Sequence, residues 1–243
     1  MHTFFLKNIP EVGTEAELEK RERDHLFKTL RCRAGEQLKL CDGNGTVAMA
    51  EATAEKTVRI LKKTIAVRDC IEVHLFTALP KNAKLDLLLK PVTEAGVCSI
   101  TPLKCRYSVA EKDTIPERWF TLMEEACKQS GNPFIPVLNQ AMTLPEALTF
   151  CAENNYAVFF GHQHGKVLLP QHLTCADKIK MALMVGPEGG FDEQEIEQLS
   201  QYGCGITLGK YIFRLENAAL AGVSHLYTTA KAALAQSAME LNK

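Results

Sequence analysis

From residue 71 onward, apolar runs of strand length alternate with amphipathic segments of helix length, and no other feature of this 243-residue chain restricts its fold as much. The strand candidates are VHLFTAL (73–79), VCSITPL (97–103), FIPVLN (134–139) and YAVFF (156–160), and the helix candidates are 82–95, 114–130 and 143–154. Parallel strands need a crossover of a dozen or more residues, usually a helix, so the alternation predicts an α/β domain with a parallel sheet flanked by helices. In the first helix candidate Leu85, Leu88, Leu89 and Val92 fall at i, i+3, i+4 and i+7, a single buried stripe. Pro91 sits inside that stripe and is expected to kink or shorten the helix. Before residue 70 the pattern is different. Short strands EQLKLCD (36–42) and TVAMAEATA (46–54) meet at DGNG (42–45), where Asp and Gly favour a tight hairpin. Two domains are expected: a small β-rich one over 1–70 and the α/β one over 71–243.

The last third repeats one device three times: an apolar strand, a glycine-containing loop and usually a helix. The units are YAVFFGHQHGK (156–166), MALMVGPEGGFDEQEIEQL (181–199) and GITLGKYIFRLENAALAGVSHL (205–226). Loops leaving the carboxyl ends of adjacent parallel strands gather at one edge of the sheet, where free peptide groups can hold a ligand. Three such loops are expected to form one pocket, and glycine lets the main chain approach what the pocket holds. The middle loop runs into Asp192-x-x-Glu195, the spacing of a capping box. A phosphate at that helix terminus would compete with Asp192 for the first-turn amides and be repelled by it, which argues against a phosphate-binding loop. Neither G-x-x-x-x-G-K-[ST] nor G-x-G-x-x-G is present.

Composition narrows the class. An apolar fraction of 46% supports a sizeable core. No segment approaches the roughly 20 apolar residues of a membrane span, and the N-terminus lacks the pattern of a secretion signal. A soluble cytoplasmic protein is expected. Nine cysteines without a C-x-x-C pair argue against a zinc site and a disulfide framework. His162 and His164 lack an acidic or thiol partner at fitting spacing, so they read as exposed loop residues and no metal is expected. The net charge of −1 conceals local concentration: 20–33 has six basic residues against two acidic, and 59–68 has four against none. Two basic stretches on one face of the N-terminal domain would suit an anionic partner such as RNA, although solvated faces explain charge alone equally well. Trp119 and Phe120, in a helix candidate, are assigned to the core.

GPEGGF-x-x-x-E followed by LG-x-x-I-x-R-x-E-x-A, and preceded by LPK-x-x-K-x-D, TE-x-GV and W…EA-x-KQSG, resembles the ribosomal RNA small-subunit methyltransferase E family of the SPOUT class. DHLFKTLRCRAGEQLKLCDGNG is similar to that family's PUA-like RNA-binding domain. The resemblance covers nearly the whole chain. It implies an N-terminal PUA-like β-barrel, a C-terminal SPOUT α/β domain tied in a trefoil knot, and a homodimer. The implied activity is S-adenosylmethionine-dependent methylation of uridine N3 in 16S ribosomal RNA, within the small ribosomal subunit. The implied cofactor residues are Phe160, Gly186, Pro187, Gly190, Leu208, Ile212, Phe213 and Ala218. Arg214 and Glu216 match the family's R-x-E positions and are the catalytic candidates: Arg214 to stabilise a uridine anion or hold its phosphate, Glu216 to accept a proton or fix Arg214. Arg31, Arg33, Lys81, Lys84 and Arg106 are candidates for RNA phosphates. The chain departs from the family pattern at Pro91, Asn132, Tyr211, Leu215 and Asn217, and three of these changes remove cations. Weaker phosphate binding with a shallower salt dependence is the expected consequence. The alternatives are a non-catalytic RNA-binding protein that keeps the fold and a nucleotide-binding α/β enzyme.

Overall fold

The computed structural model describes residues 1–79, 85–108, 115–174 and 177–241. They form two compact units, Met1–Arg68 with Thr121–Ile135, and Asp69–Phe120 with Pro136–Lys243.

The first unit holds β1 (Thr3–Phe5), β2 (Glu15–Ala16), the short helix α1 (Lys20–Asp24) with a wider helical turn over His25–Thr29, β3 (Gln37–Cys41), β4 (Thr46–Ala52) and β5 (Val58–Ile65). The strands hydrogen-bond in the order β1-β3-β4-β5-β2, all antiparallel except β1 with β3. The hairpin expected at 42–45 joins β3 to β4. Asp42 Oδ1 accepts from the N–H groups of Asn44 and Thr46 at 2.7 and 2.9 Å, the side-chain turn for which Asp is suited. Alternate residues of β3 and β4, including Leu38, Leu40, Ala48 and Ala50, join Phe4, Leu26 and Ile60 in one core.

Thr121–Ile135 belongs with this unit, although the alternation of the sequence places the whole segment in the second domain. Lys128 reaches Glu22 of α1 at 2.7 Å, and both side chains are largely buried. Glu22 also accepts from the N–H of Phe5 at 3.0 Å. A carboxylate taken from water needs such partners. The N–H of Ile135 then donates to Gly43 C=O at 2.8 Å. These contacts join residues about a hundred positions apart, and no local pattern reports them.

The second unit contains β6 (Ile71–Ala78), α2 (Leu85–Glu94), β7 (Ser99–Lys104), the start of α3 (Glu117–Ser130), β8 (Val137–Leu138), β9 (Met142–Thr143), α4 (Leu144–Glu153), β10 (Ala157–Lys166), β11 (Ile179–Val185), α5 (Glu193–Tyr202), β12 (Gly203–Ile206) and α6 (Leu215–Leu241). Its sheet has the order β12-β10-β11-β6-β7-β8, with β9 also on β7, and every pairing is parallel. The α/β architecture read from the alternation is the one observed. α2 buries Leu85, Leu88, Leu89 and Val92 and runs on past Pro91 to Glu94. Each such side chain contributes roughly 1.5–3 kcal/mol of burial, enough to offset the hydrogen bond that proline cannot make. Thr143 caps α4 through a capping box with Glu146. Trp119 is buried and donates to Asp86 Oδ1 at 2.6 Å, whereas Phe120, expected in the core, is 43% exposed.

Both faces of the sheet are covered, which explains why β6 and β11 read as continuous apolar runs. Leu75 pairs with Leu183, and Phe76 pairs with Met184 on the opposite face. Phe150 of α4 lies 6.3 Å from Phe76, ring centre to ring centre. On the other face Gly222 of α6 sits on Leu183, so close that a Cβ there would stand 2.5 Å from Leu183 Cδ2. Leu183 is fully buried and cannot swing away. Gly222→Val is therefore expected to lower unfolding stability by about 1–3 kcal/mol through overpacking, measured by chemical denaturation. An unchanged midpoint would mean that α6 shifts freely on the sheet.

Candidate functional site

The strands β12, β10 and β11 are neighbours, and the segments at their carboxyl ends surround one cavity of about 530 Å³. It is lined from β10 by 161–164, from the segment after β11 by 185–191, and from the segment after β12 by 207–215, with Ile196 and Ala218 behind. The size suits a small organic ligand.

The first segment is a strand rather than the expected loop. β10 continues to Lys166, but Gly161 and Lys166 both pair with Ile206, so the four residues between them bulge out of the ladder. Gly165 makes this possible: a Cβ at that position would meet the Ile206 backbone at 2.4 Å. His162 and His164 lie on the bulge with ring centres 5.9 Å apart. Among the described residues no group of three or more His, Cys, Asp or Glu side chains is placed to hold a metal ion. Phe160 does not line the cavity. It is buried, near Gly205 and His162, and its neighbour Gly161 takes the place proposed for it.

The second segment turns at 187–190, where Gly190 N–H donates to Pro187 C=O at 2.8 Å. Gly190 has φ +76°, a conformation that L side chains rarely adopt. Asp192 then caps α5 as its spacing predicts. Its Oδ1 accepts from Glu195 N–H at 2.7 Å, and Glu195 Oε2 accepts from Asp192 N–H at 2.9 Å. The Glu195 N–H and the Arg106 guanidinium both stabilise the Asp192 carboxylate and hold its pKa below the usual range. An occupied, negatively charged cap leaves no donor set for a phosphate at this terminus.

Arg106 is thus engaged within the site's support. Its guanidinium donates to Asp192 Oδ2 at 3.0 Å, and its backbone N–H donates to Glu195 Oε1 at 2.9 Å. Beside it, the Tyr107 ring lies under Gly189, 3.6 Å from where a Cβ would stand. The segment after β7 therefore braces the glycine turn, a role that no motif in the sequence announces. A guanidinium matched to a carboxylate is a poorer candidate for an RNA phosphate than a free one.

The third segment brings Leu208, Ile212, Phe213 and Arg214 to the cavity. Tyr211 and Ile212 are 75% and 77% exposed. Arg214 is exposed and makes no side-chain hydrogen bond or ion pair with another described residue. Glu216, two residues into α6, does not line the cavity and forms no ion pair with Arg214. Of the proposed cofactor residues, Gly186, Pro187, Gly190, Leu208, Ile212, Phe213 and Ala218 come together here. The lining combines peptide groups with apolar walls and includes the charged residues Glu188, Lys210 and Arg214. These features fit S-adenosylmethionine, whose adenine is neutral and whose methionine part carries a carboxylate, an ammonium and a sulfonium.

The RNA candidates divide. Lys81 and Lys84 lie outside the described residues. Arg31 and Arg33 are exposed in the first unit, and Arg31 adopts φ +53°. The basic stretch 59–68 is half neutralised: Arg59 pairs with Glu15 and Glu51 and Lys63 with Glu11, while Arg68 covers the Phe134 ring at 4.3 Å. Cross-strand acids that alternate out of view in the sequence supply these partners. Eight cysteines are described and all are free thiols. Burial pushes the thiols of Cys41, Cys105, Cys127 and Cys151 up to about 12, so they are not nucleophiles. No helix among the described residues is long and apolar enough to cross a membrane.

Comparison with known proteins agrees with this geometry. A crystal structure of a ribosomal RNA small subunit methyltransferase E from Neisseria gonorrhoeae, bound to S-adenosyl methionine, superposes with a TM-score of 0.82 at 27% identity, covering 94% of this chain and 97% of that one. The ribosomal RNA small subunit methyltransferase E of Buchnera aphidicola is 27% identical over 239 residues, 91% of this chain and 94% of its own. The protein of that name from Bacillus subtilis is 26% identical over 219 residues, covering 84% and 86%. The profile of the RNA methyltransferase domain matches residues 68–227, well over half of the sequence, and the chain belongs to that family.

Proposed function

We propose that this protein is an S-adenosylmethionine-dependent methyltransferase of 16S ribosomal RNA in the small ribosomal subunit, and that it methylates N3 of a uridine. The observation that carries the reading is the convergence of three strand-end segments on a cavity lined by both the 186–190 turn and Arg214, whose guanidinium has no hydrogen bond or ion pair among the described residues. S-adenosylmethionine, when bound, supplies an activated methyl group. The chain must then bind and orient, and must favour loss of the N3 proton. Gly186, Pro187 and Gly190 provide peptide contacts, and Leu208, Ile212, Phe213 and Ala218 provide apolar walls. Arg214 stabilises negative charge as it develops on the uracil ring. Glu216 stands outside the lining, two residues along the chain from Arg214.

The same reading takes residues 1–70 as a PUA-like RNA-binding domain and 71–243 as the catalytic SPOUT domain. A trefoil knot and a cytoplasmic homodimer complete it. The return of α6 from the sheet edge at β12 to Leu183 in β11 is in keeping with a knotted C-terminus. Arg31 and Arg33 are assigned to RNA phosphates, while Arg106 serves the cofactor turn. Arg31 offers a clean test because its left-handed backbone strains any residue with a Cβ. Arg31→Gly is expected to raise stability by about 1 kcal/mol while weakening RNA binding and flattening its salt dependence. Thermal unfolding and binding titrations over a range of salt measure both; an unchanged salt slope assigns RNA to another surface.

Two experiments test the function. Calorimetry is expected to show binding of S-adenosylmethionine and none of ATP, which separates this reading from a nucleotide-binding enzyme. Mass mapping of 16S ribosomal RNA from a deletion strain is expected to reveal one uridine lacking a methyl group. A fully methylated map would leave a protein that binds without catalysis.

A further inference from the structure

We infer that Tyr211 is a stacking platform for a base of the RNA substrate, so that an aromatic ring in this chain does recognition work at the mouth of the cofactor cavity. The inference rests on the methyltransferase reading above. Tyr211, Ile212 and Phe213 are three consecutive large apolar residues, 75%, 77% and 41% exposed, on the rim of one cavity. Exposure of that kind marks a binding surface more often than a solvated loop. Phe213 is partly accounted for within the chain, since its ring packs 2.9 Å from where a Cβ of Gly209 would stand. Tyr211 has no comparable cover.

Charge identifies the occupant. The Lys210 ammonium lies 5.4 Å from the centre of the Tyr211 ring, within cation–π range, and Arg214 lines the same cavity. An aromatic ring with one cation against it and a second cation, Arg214, on the same cavity complements a nucleotide, which presents a flat π-face and an anionic phosphate together. A neutral apolar peptide would leave both cations unmatched, and an amine-bearing ligand would be repelled. Tyr211 is among the departures from the resembled motif that remove a cation. Stacking is insensitive to salt, whereas a phosphate contact releases counterions. The two kinds of contact therefore leave different signatures.

The test uses the full-length protein, S-adenosylmethionine and small ribosomal subunits. Tyr211→Ala is expected to raise the RNA KM about tenfold, with a smaller change in the saturating single-turnover rate and no change in the salt slope or in cofactor affinity. Tyr211→Phe is expected to restore KM toward wild type, because the ring and not the hydroxyl does the stacking. Lys210→Ala is expected to flatten the salt slope. A wild-type KM in Tyr211→Ala overturns the inference and leaves the function intact. Loss of cofactor affinity in that variant, or a change of oligomeric state by sedimentation, also overturns it and assigns the ring to the cofactor or to a partner subunit. Absence of methylation by the wild-type protein overturns the functional reading, and this inference with it.

Discussion

Arg214→Ala is expected to lower the single-turnover methylation rate by about 10²–10³-fold, the usual consequence of removing one preorganised donor from a site of developing charge. Affinities for RNA and for S-adenosylmethionine are expected to change far less, since the interaction matters mainly in the transition state. The structure makes this separation testable. Arg214 is exposed at the cavity and has no side-chain hydrogen bond or ion pair among the described residues, so its removal breaks no structural contact. Thermal unfolding should therefore match the wild type. Arg214→Lys keeps the charge but loses the planar fork, and is expected to recover only part of the rate. Equal falls in rate and in both affinities would show Arg214 to be a binding residue. An unchanged rate would transfer the chemistry to Glu216 or to another residue.

Gly190→Val is expected to weaken S-adenosylmethionine binding by about 100-fold while leaving the protein folded. A Cβ at Gly190 meets nothing within 4 Å, so collision with the protein is not the cause. The cause is φ +76°, which a β-branched residue cannot hold without strain of about 1–3 kcal/mol. The turn would relax to another conformation and move the peptide groups that face the cavity. Gly190→Asn provides the control, because asparagine tolerates left-handed angles, and it is expected to retain most of the affinity. Calorimetry on both variants, with thermal unfolding beside it, measures the effect. Full affinity in a folded Gly190→Val protein would place the cofactor away from this turn.

The elements legible in the sequence were those governed by near neighbours. The stripe of Leu85, Leu88, Leu89 and Val92 needed only helical spacing. The Asp192–Glu195 capping box needed only two side chains three residues apart, and Asp42 made the hairpin through its own next turn. The cavity was legible at coarser grain. Three glycine-bearing segments after three apolar strands implied a common edge, and the order β12-β10-β11 supplies it. Arg106 and Phe160 lie elsewhere than their places in the sequence suggested for one reason: the facing of a side chain is set by distant partners. Arg106 found Asp192, 86 residues away, and Phe160 turned into the core, leaving Gly161 at the cavity wall.

By itself, then, the sequence determined the α/β class, the helices and their caps, and the part of the chain that would carry a ligand cavity. All of these follow from periodicity, backbone freedom and hydrogen bonds within a turn, which act over a few residues. Tertiary structure alone decided that Thr121–Ile135 joins the first unit through the buried Lys128–Glu22 pair, and that two of the four 59–68 cations, Arg59 and Lys63, are neutralised by Glu11, Glu15 and Glu51. It also decided that Arg214 stands free at the cavity while Glu216 lies outside it. A charge pairs with whichever opposite charge folding brings within about 4 Å. That partner is set by the packing of the whole chain, so the position of a charged residue in the sequence shows its chemistry but not whether that chemistry is left free to act.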